Sequence, residues 1–275
     1  MSYSNAGRVQ PRGPWLVSLS LRATVIIGTL ALLGVLAEAT GGKRVAIHRA
    51  ADGHHGRRAS RVRAAFDPDR ERKAFAGLVH RWTRGPDLVA LLWLIKQMID
   101  RSGSIEGFFL EGYDPAAADI TDALDSFSTR ARTLDLKRAY GRVPQRAGVW
   151  YFFPRPSAGS ACKRLNLFLR WMIRREPPDF GLWPGVAPAA LLIPVDTHVE
   201  NMARSLGLTR RRSRNWKMAE EITARLAALD PRDPVKYDFP LCHKRMSGQC
   251  LNRRDARVCG PCDLRPVCRH WRGRA

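Results

Sequence analysis

From residue 66 onward, apolar residues recur at intervals of three and four, the period of helices with one buried face. Residues 67–82 read as one helix. Pro86 and Asp87 open a second, with Leu88, Leu91, Leu92, Ile95, Met98 and Ile99 on its inner stripe and Ser102-Gly103 as its stop. Residues 104–110 read as a short helical turn ending at Gly112. Asp114-Pro115 starts a further helix, with Ile120, Leu124 and Phe127 inside. Residues 134–157 lack a clear period. They read as a strand pair or an irregular loop carrying Lys137, Arg138, Arg142, Arg146 and Arg155 among the aromatics Trp150, Tyr151, Phe152 and Phe153.

The pattern resumes over residues 159–175. There Leu165, Phe168, Leu169, Met172 and Ile173 define a buried face, and Lys163, Asn166, Arg170 and Arg174 fall on the opposite stripe. Asp196 is placed as the N-cap of a helix over 198–206 that stops at Gly207. Residues 216–229 are amphipathic through Trp216, Ala219, Ile222, Leu226 and Leu229. Asp233-Pro234 opens the last helix, which Pro240 should kink on the way to Gly248. There is no clear strand sequence, no Rossmann-type glycine fingerprint and no repeat, so the expected body is all-α.

The first 65 residues behave differently. Residues 23–37 carry no charge, follow Arg8, Arg12 and Arg22, and end at Ala37-Glu38-Ala39, which imitates a signal peptide. The run is too short and interrupted for a convincing membrane span, and a buried helix explains it equally. Residues 40–65 are rich in Arg, Ala, Gly and His without amphipathic period and read as a flexible basic linker. His54-His55 has no neighbours to complete a metal site. Residues 1–65 are therefore expected to be an extension, doubtful or disordered, with a shifted reading frame or wrong start as the other explanation.

Composition narrows the partners. The 275 residues carry 47 Lys+Arg against 25 Asp+Glu, a net charge of +22, with a pI near 11. Such a surface expects a polyanion, either nucleic acid or an anionic membrane. The charge and the long helical body argue against a redox carrier, and a membrane-attached protein rests on residues 15–39 alone. Of six cysteines, Cys162 and Cys242 read as small buried residues on helices. The other four, Cys250, Cys259, Cys262 and Cys268, are spaced C-x8-C-x2-C-x5-C. Four thiolates so close can converge on one metal centre, either a [4Fe–4S] cluster or structural zinc. Zinc more often uses two tight knuckles and only one is present, so the wider spacing favours iron–sulfur. Arg253, Arg254, Arg257, Arg265 and Arg269 make this loop cationic. So large a chain needs no disulfide staples, which points to a reducing, cytoplasmic setting.

The stretches GSACKRLN (from Gly159) and PVDTHVENMARSLGL (from Pro194), followed by the four-cysteine loop, occur in the order found in endonuclease III-like DNA glycosylases. Residues 66–275 thus resemble the iron–sulfur branch of the helix-hairpin-helix glycosylase superfamily, most closely a bacterial group of uncharacterised proteins with LNLFLRWM-like and PVDTHV-like stretches. The chain departs from that pattern in several places. The hairpin, here residues 156–163, lacks its second glycine, and the first cysteine gap is long. The 33-residue spacing from Lys163 to Asp196 is nearer that of archaeal 8-oxoguanine glycosylases. Residues 183–187 look more like the hairpin, but no lysine lies between them and Asp196.

The resemblance implies a helical domain over 66–190, a helical iron–sulfur domain over 191–275 and a cleft between them that admits DNA. It implies a monomer without a stable membrane partner. Lys163 would attack the sugar C1′ as an amine, aided by desolvation and by Arg164 and Arg170, with Asp196 supporting its deprotonation. Gly159, Ser160, Ala161, Arg164, Asn166 and Arg170 would contact DNA, and His198 would organise a helix start. The expected function is a DNA-repair glycosylase and AP lyase acting on a damaged base or abasic site. The alternative is a non-catalytic iron–sulfur protein that binds nucleic acid on the same fold.

Overall fold

The computed structural model describes residues 66–80 and 83–272, so expectations about residues 1–65 fall outside the described residues. From Asp67 onward the chain forms one compact unit. It is all-α apart from a two-residue antiparallel hairpin, β1 (Val79–His80) against β2 (Thr83–Arg84), with Val79 opposite Arg84 and His80 opposite Thr83.

Helix α1 (Pro68–Phe75) is capped by Asp67, whose Oδ1 accepts from the Asp69 N–H at 3.1 Å. The helix expected to reach residue 82 ends here, and the hairpin follows. Helix α2 (Gly85–Ser102) starts with Pro86 in its first turn, where a missing N–H costs nothing, and with the Asp87 carboxylate accepting from the Arg84 N–H at 3.0 Å. It ends at Gly103, whose φ of 77° is the left-handed cap that glycine adopts without steric penalty. Leu91, Leu94, Ile95, Met98 and Ile99 of α2 are buried, while Leu88 and Leu92 are only half-buried.

Ser104 caps α3 (Ile105–Leu110). Asp114-Pro115 does not begin a helix; residues 114–120 are turns, and α4 (Thr121–Ala131) starts later. The basic aromatic stretch contains neither strand, only α5 (Lys137–Tyr140) and 3-10 turns at Gly148–Phe152 and Pro156–Ala158. Phe108, Phe109, Phe127, Phe153 and Trp183 pack ring against ring with centroids 5.6 to 6.1 Å apart, forming one half of the core. Burying each such side chain stabilises by about 1.5–3 kcal/mol.

The other half gathers α6 (Lys163–Ile173), α7 (Thr197–Leu206), α8 (Trp216–Ala227) and α9 (Asp238–Met246) around Leu169, Met172, Ile193, Val199, Ile222 and Val235. The two halves join where the Trp216 indole N–H donates to Thr121 Oγ1 at 3.0 Å and the Ile120 N–H donates to the Ala190 carbonyl at 3.1 Å. Pro240 sits in the first turn of α9 and kinks nothing, because a 3-10 turn, Pro234–Tyr237, precedes that helix. The chain closes with α10 (Ala256–Cys259) and α11 (Arg269–Arg272). No helix among the described residues is long and apolar enough to cross a membrane.

The polar stripe expected on α6 is largely interior. Asn166, Arg170 and Arg174 are buried, and only Lys163 is exposed. The arginines are accommodated because carboxylates from distant segments meet them. Arg170 Nη1 donates to Asp238 at 2.5 Å, and its Nε stands 3.3 Å from Asp179. Arg174 is bonded to Asp179 and holds both oxygens of Asp233 at 3.0 Å through Nε. Pairing of this kind is what lets a guanidinium remain inside a core.

Candidate active site and cysteine pocket

The segment leading into α6 turns sharply twice. Gly159 ends a 3-10 turn at φ 75°, and a Cβ there would meet nothing within 4 Å, so glycine is required by the backbone angle rather than by crowding. Cys162, at φ 45°, is a buried non-glycine residue in the left-handed region, held by its N–H to Ser160 Oγ at 3.2 Å. Burial pushes its thiol up to about 12, so it is inert rather than nucleophilic. No side chain caps α6, which leaves its first turn open to an anion.

Lys163, the first residue of α6, reaches Asp196, the N-cap of α7: Nζ lies 3.1 Å from Oδ2. The carboxylate divides its work. Oδ1 accepts the His198 and Val199 N–H groups at 2.8 Å each, and Oδ2 is left for the lysine. Burial works to raise the Asp196 carboxyl, but the Val199 N–H and the Lys163 ammonium outweigh it and hold the group below the usual range. The two face each other as carboxylate and ammonium, so Nζ becomes a nucleophile only once its proton has been passed on.

The environment of Lys163 differs from that expected. Its side chain is 46% exposed, so desolvation is slight. Arg170 is engaged by Asp238 and Asp179 beneath the site rather than standing beside the amine. Asn166 is also interior, its Nδ2 donating to the Ala161 carbonyl at 3.3 Å. Neither side chain is available to touch DNA directly. Arg164 is exposed, donates to the Tyr151 carbonyl at 3.0 Å and lies 3.3 Å over the Tyr151 ring. His198 is half-buried one residue into α7, and its ring acts on the Asp196 carboxyl.

Two residues beside the pair have no distinctive sequence context. Cys242 on α9 places Sγ 3.9 Å from Asp196 Oδ2, and its thiol is pushed up to about 11 by burial and by Asp196. Asp238, one turn earlier on α9, is raised to about 6, chiefly by burial, against the opposing pull of Arg170 and with added repulsion from Asp196. Cys242 was read only as a small buried helix residue and is in fact half-buried, and Asp238 carried no signal of its own in the sequence.

Cys250, Cys259, Cys262 and Cys268 line one small cavity, about 30 Å³ in volume, with Met202, Leu206, Leu264 and Trp271 in its walls. All four are half-buried free thiols. Among the described residues, however, no group of three or more His, Cys, Asp or Glu stands at metal-holding distance. The donor set suits a thiolate-bound centre, while the sulfurs surround a space rather than converge on a point. The walls are pinned to α7 by Ser205, which donates to Asn252 Oδ1 at 2.7 Å and lies 3.1 Å from His270 Nε2. Arg254 and Arg265 lie over the Trp271 ring at 4.8 and 5.3 Å.

Fold and site thus define an all-α protein with a paired lysine and aspartate at two helix starts and a four-cysteine pocket. The chain belongs to the family described as "Protein of unknown function (DUF2400)", whose model matches residues 35–247. That span begins ahead of α1, includes Lys163 and Asp196, and ends before Cys250. No curated protein and no solved structure matches the chain. The resemblance to endonuclease III-like glycosylases is therefore corrected: the family that matches is an uncharacterised one, not the helix-hairpin-helix superfamily. The likeness rested on two short stretches and the four-cysteine loop that follows them, and helix geometry accounts for much of the first two. A glycine in a tight turn before a helix and an aspartate capping another recur wherever helices begin.

Proposed function

We propose that this protein acts on DNA as a base-excision enzyme with lyase activity, directed at a damaged base or an abasic site. The single observation that carries it is the 3.1 Å pairing of Lys163 Nζ with the Asp196 oxygen that the helix cap leaves free. Asp196 accepts the ammonium proton, and Nζ then attacks C1′ of the target sugar. On a nucleoside the base departs with the glycosidic electron pair; on an abasic aldehyde the carbinolamine loses water. On the nucleoside path the amine then sheds its second proton and the C1′–O4′ bond opens. O4′ leaves with its electron pair and takes up a proton, so that either path gives an iminium. Loss of a C2′ proton then expels the 3′ phosphate with the C3′–O electron pair. The target nucleotide has to leave the stack to reach Nζ, and the exposed setting of Lys163 permits that approach.

The net charge of +22 and the open first turn of α6 support DNA as the partner, with Ser160, Ala161 and Arg164 near its phosphates. Asn166 and Arg170 would then act from beneath, by holding α6. The same reading includes a monomeric, cytoplasmic protein with a DNA cleft between a helical body and the cysteine loop. It assigns Cys250, Cys259, Cys262 and Cys268 as ligands of a [4Fe–4S] cluster, with zinc as the other filling. Such a centre would supply a rigid cross-link for the Arg-rich loop and take no part in the bond changes above.

A second reading is favoured by one observation: a 46% exposed, ion-paired lysine equally suits a phosphate clamp on a non-catalytic nucleic-acid-binding protein. Borohydride reduction in the presence of DNA with an abasic site separates the two. A covalent protein–DNA adduct is expected; DNA binding without any adduct would select the clamp.

A further inference from the structure

Between α7 and α8 the chain reads Thr209-Arg210-Arg211-Arg212-Ser213-Arg214, four arginines in five positions, with residues 210–214 all exposed. A solvated basic loop is commonplace, but this one is fastened at several points. Arg204 on α7 donates through Nη2 to the Arg211 and Arg212 carbonyls at 2.9 and 2.7 Å. Thr209 Oγ1 bonds Glu221 at 2.9 Å and accepts from the Arg211 N–H at 3.1 Å. Arg211 is paired with Glu221 and Arg214 with Glu200, whereas Arg210 and Arg212 make no ion pair among the described residues.

The fastening also sets the loop's position. Asn215 forms an isolated antiparallel bridge with Ser160, three residues before Lys163. Arg214 Nη1 donates to Thr197 Oγ1 at 2.7 Å, and Thr197 is the residue after Asp196. The loop is thereby tied to both segments that deliver the lysine and the aspartate. Unpaired guanidiniums carried on a backbone tied to both of these segments offer bidentate donors to the backbone phosphates flanking a nucleotide at Lys163.

We propose that the loop of residues 209–214 is a phosphate-gripping ridge that holds the DNA strand next to Lys163 and Asp196, with Arg210 and Arg212 as its contacting residues. It rests on the function proposed above only in taking DNA as the partner.

The test measures binding of the full-length protein to duplex DNA containing a tetrahydrofuran abasic analogue, which cannot form the imine, across a range of salt concentrations. Each lost phosphate contact lowers the slope of log K against log salt by about 0.9, so Arg210→Ala/Arg212→Ala should flatten it by about 1.8. Arg210→Lys/Arg212→Lys keeps the charges and should restore most of the slope, which separates charge from any folding defect. Arg142→Ala/Arg146→Ala, in the exposed segment after α5, removes the same charge elsewhere and should leave the slope nearly unchanged. An unchanged slope for the loop alanines overturns the ridge, as does an equal drop for the 142/146 pair. A loss seen with single-stranded RNA of the same sequence and not with DNA also overturns it. Borohydride trapping by the wild type is scored separately: binding without trapping defeats the lyase chemistry and leaves the ridge standing.

Discussion

Replacing Asp196 separates its two tasks, because each uses a different oxygen. In Asp196→Asn the side-chain carbonyl can still accept the His198 and Val199 N–H groups now held at 2.8 Å, and asparagine caps helices about as well as aspartate. What disappears is the charge facing Lys163. With the lysine 46% exposed, that pair is worth about 0–1 kcal/mol. Asp196→Ala loses the cap as well, a further ~1 kcal/mol. For a domain of this size 1 kcal/mol moves Tm by about 2–4 °C. Thermal melts near pH 7 should therefore place Asn within about 3 °C of the wild type and Ala clearly lower, while both lose base excision. The wild-type advantage over Asn should also shrink on acidification. The Asp196 carboxyl is held low in the fold, so its charge contributes stability above its unfolded pKa, and that is lost as pH falls through the depressed value. Equal melting of Asn and Ala would refute the division between the two oxygens. Full excision by the Asn variant would refute the carboxylate's role in the chemistry.

Asp238 should behave in the opposite sense. With its carboxyl raised to about 6, the folded protein holds that proton more tightly than the unfolded chain, so stability from this group declines as pH rises from about 4 to 6. Melts over that window should lose this component in Asp238→Asn. Arg174→Met leaves Asp179, whose carboxylate is fully buried, with Arg170 alone, and should cost about 3–5 kcal/mol in urea unfolding. A loss below about 1 kcal/mol would mean that Asp179 is carried protonated. Purified protein should be brown, with iron and acid-labile sulfide in equal amounts, and Cys259→Ser should lose both. Colourless protein with stoichiometric zinc would contradict the cluster assignment.

What could be read from the sequence was what short-range geometry controls. Asp196 caps a helix, and Gly103 and Gly207 each end one, because a side-chain acceptor or a left-handed φ acts within a few residues. The all-α class followed from the 3.6-residue period. The misreadings share a physical cause in long-range pairing. Arg170 and Arg174 lie on the polar stripe of α6, yet carboxylates at positions 233 and 238 lie over them, and period alone cannot report partners about sixty residues away. Lys163 and Asp196 were coupled only through the resemblance; that their side chains meet depends on how α6 packs against the start of α7. After α1 the apolar spacing did not mark a buried face: Leu78 and Val79 are exposed, and a hairpin stands where helix was expected.

The central claim is that Lys163 is the amine that bonds to DNA. Its most direct test is borohydride reduction of full-length protein with abasic-site DNA, followed by digestion and mass spectrometry of the adduct. The deoxyribose remnant should fall on the peptide containing Lys163, and Lys163→Gln should abolish the adduct while binding the tetrahydrofuran duplex nearly as before. An adduct on another lysine, or undiminished trapping by Lys163→Gln, would contradict it.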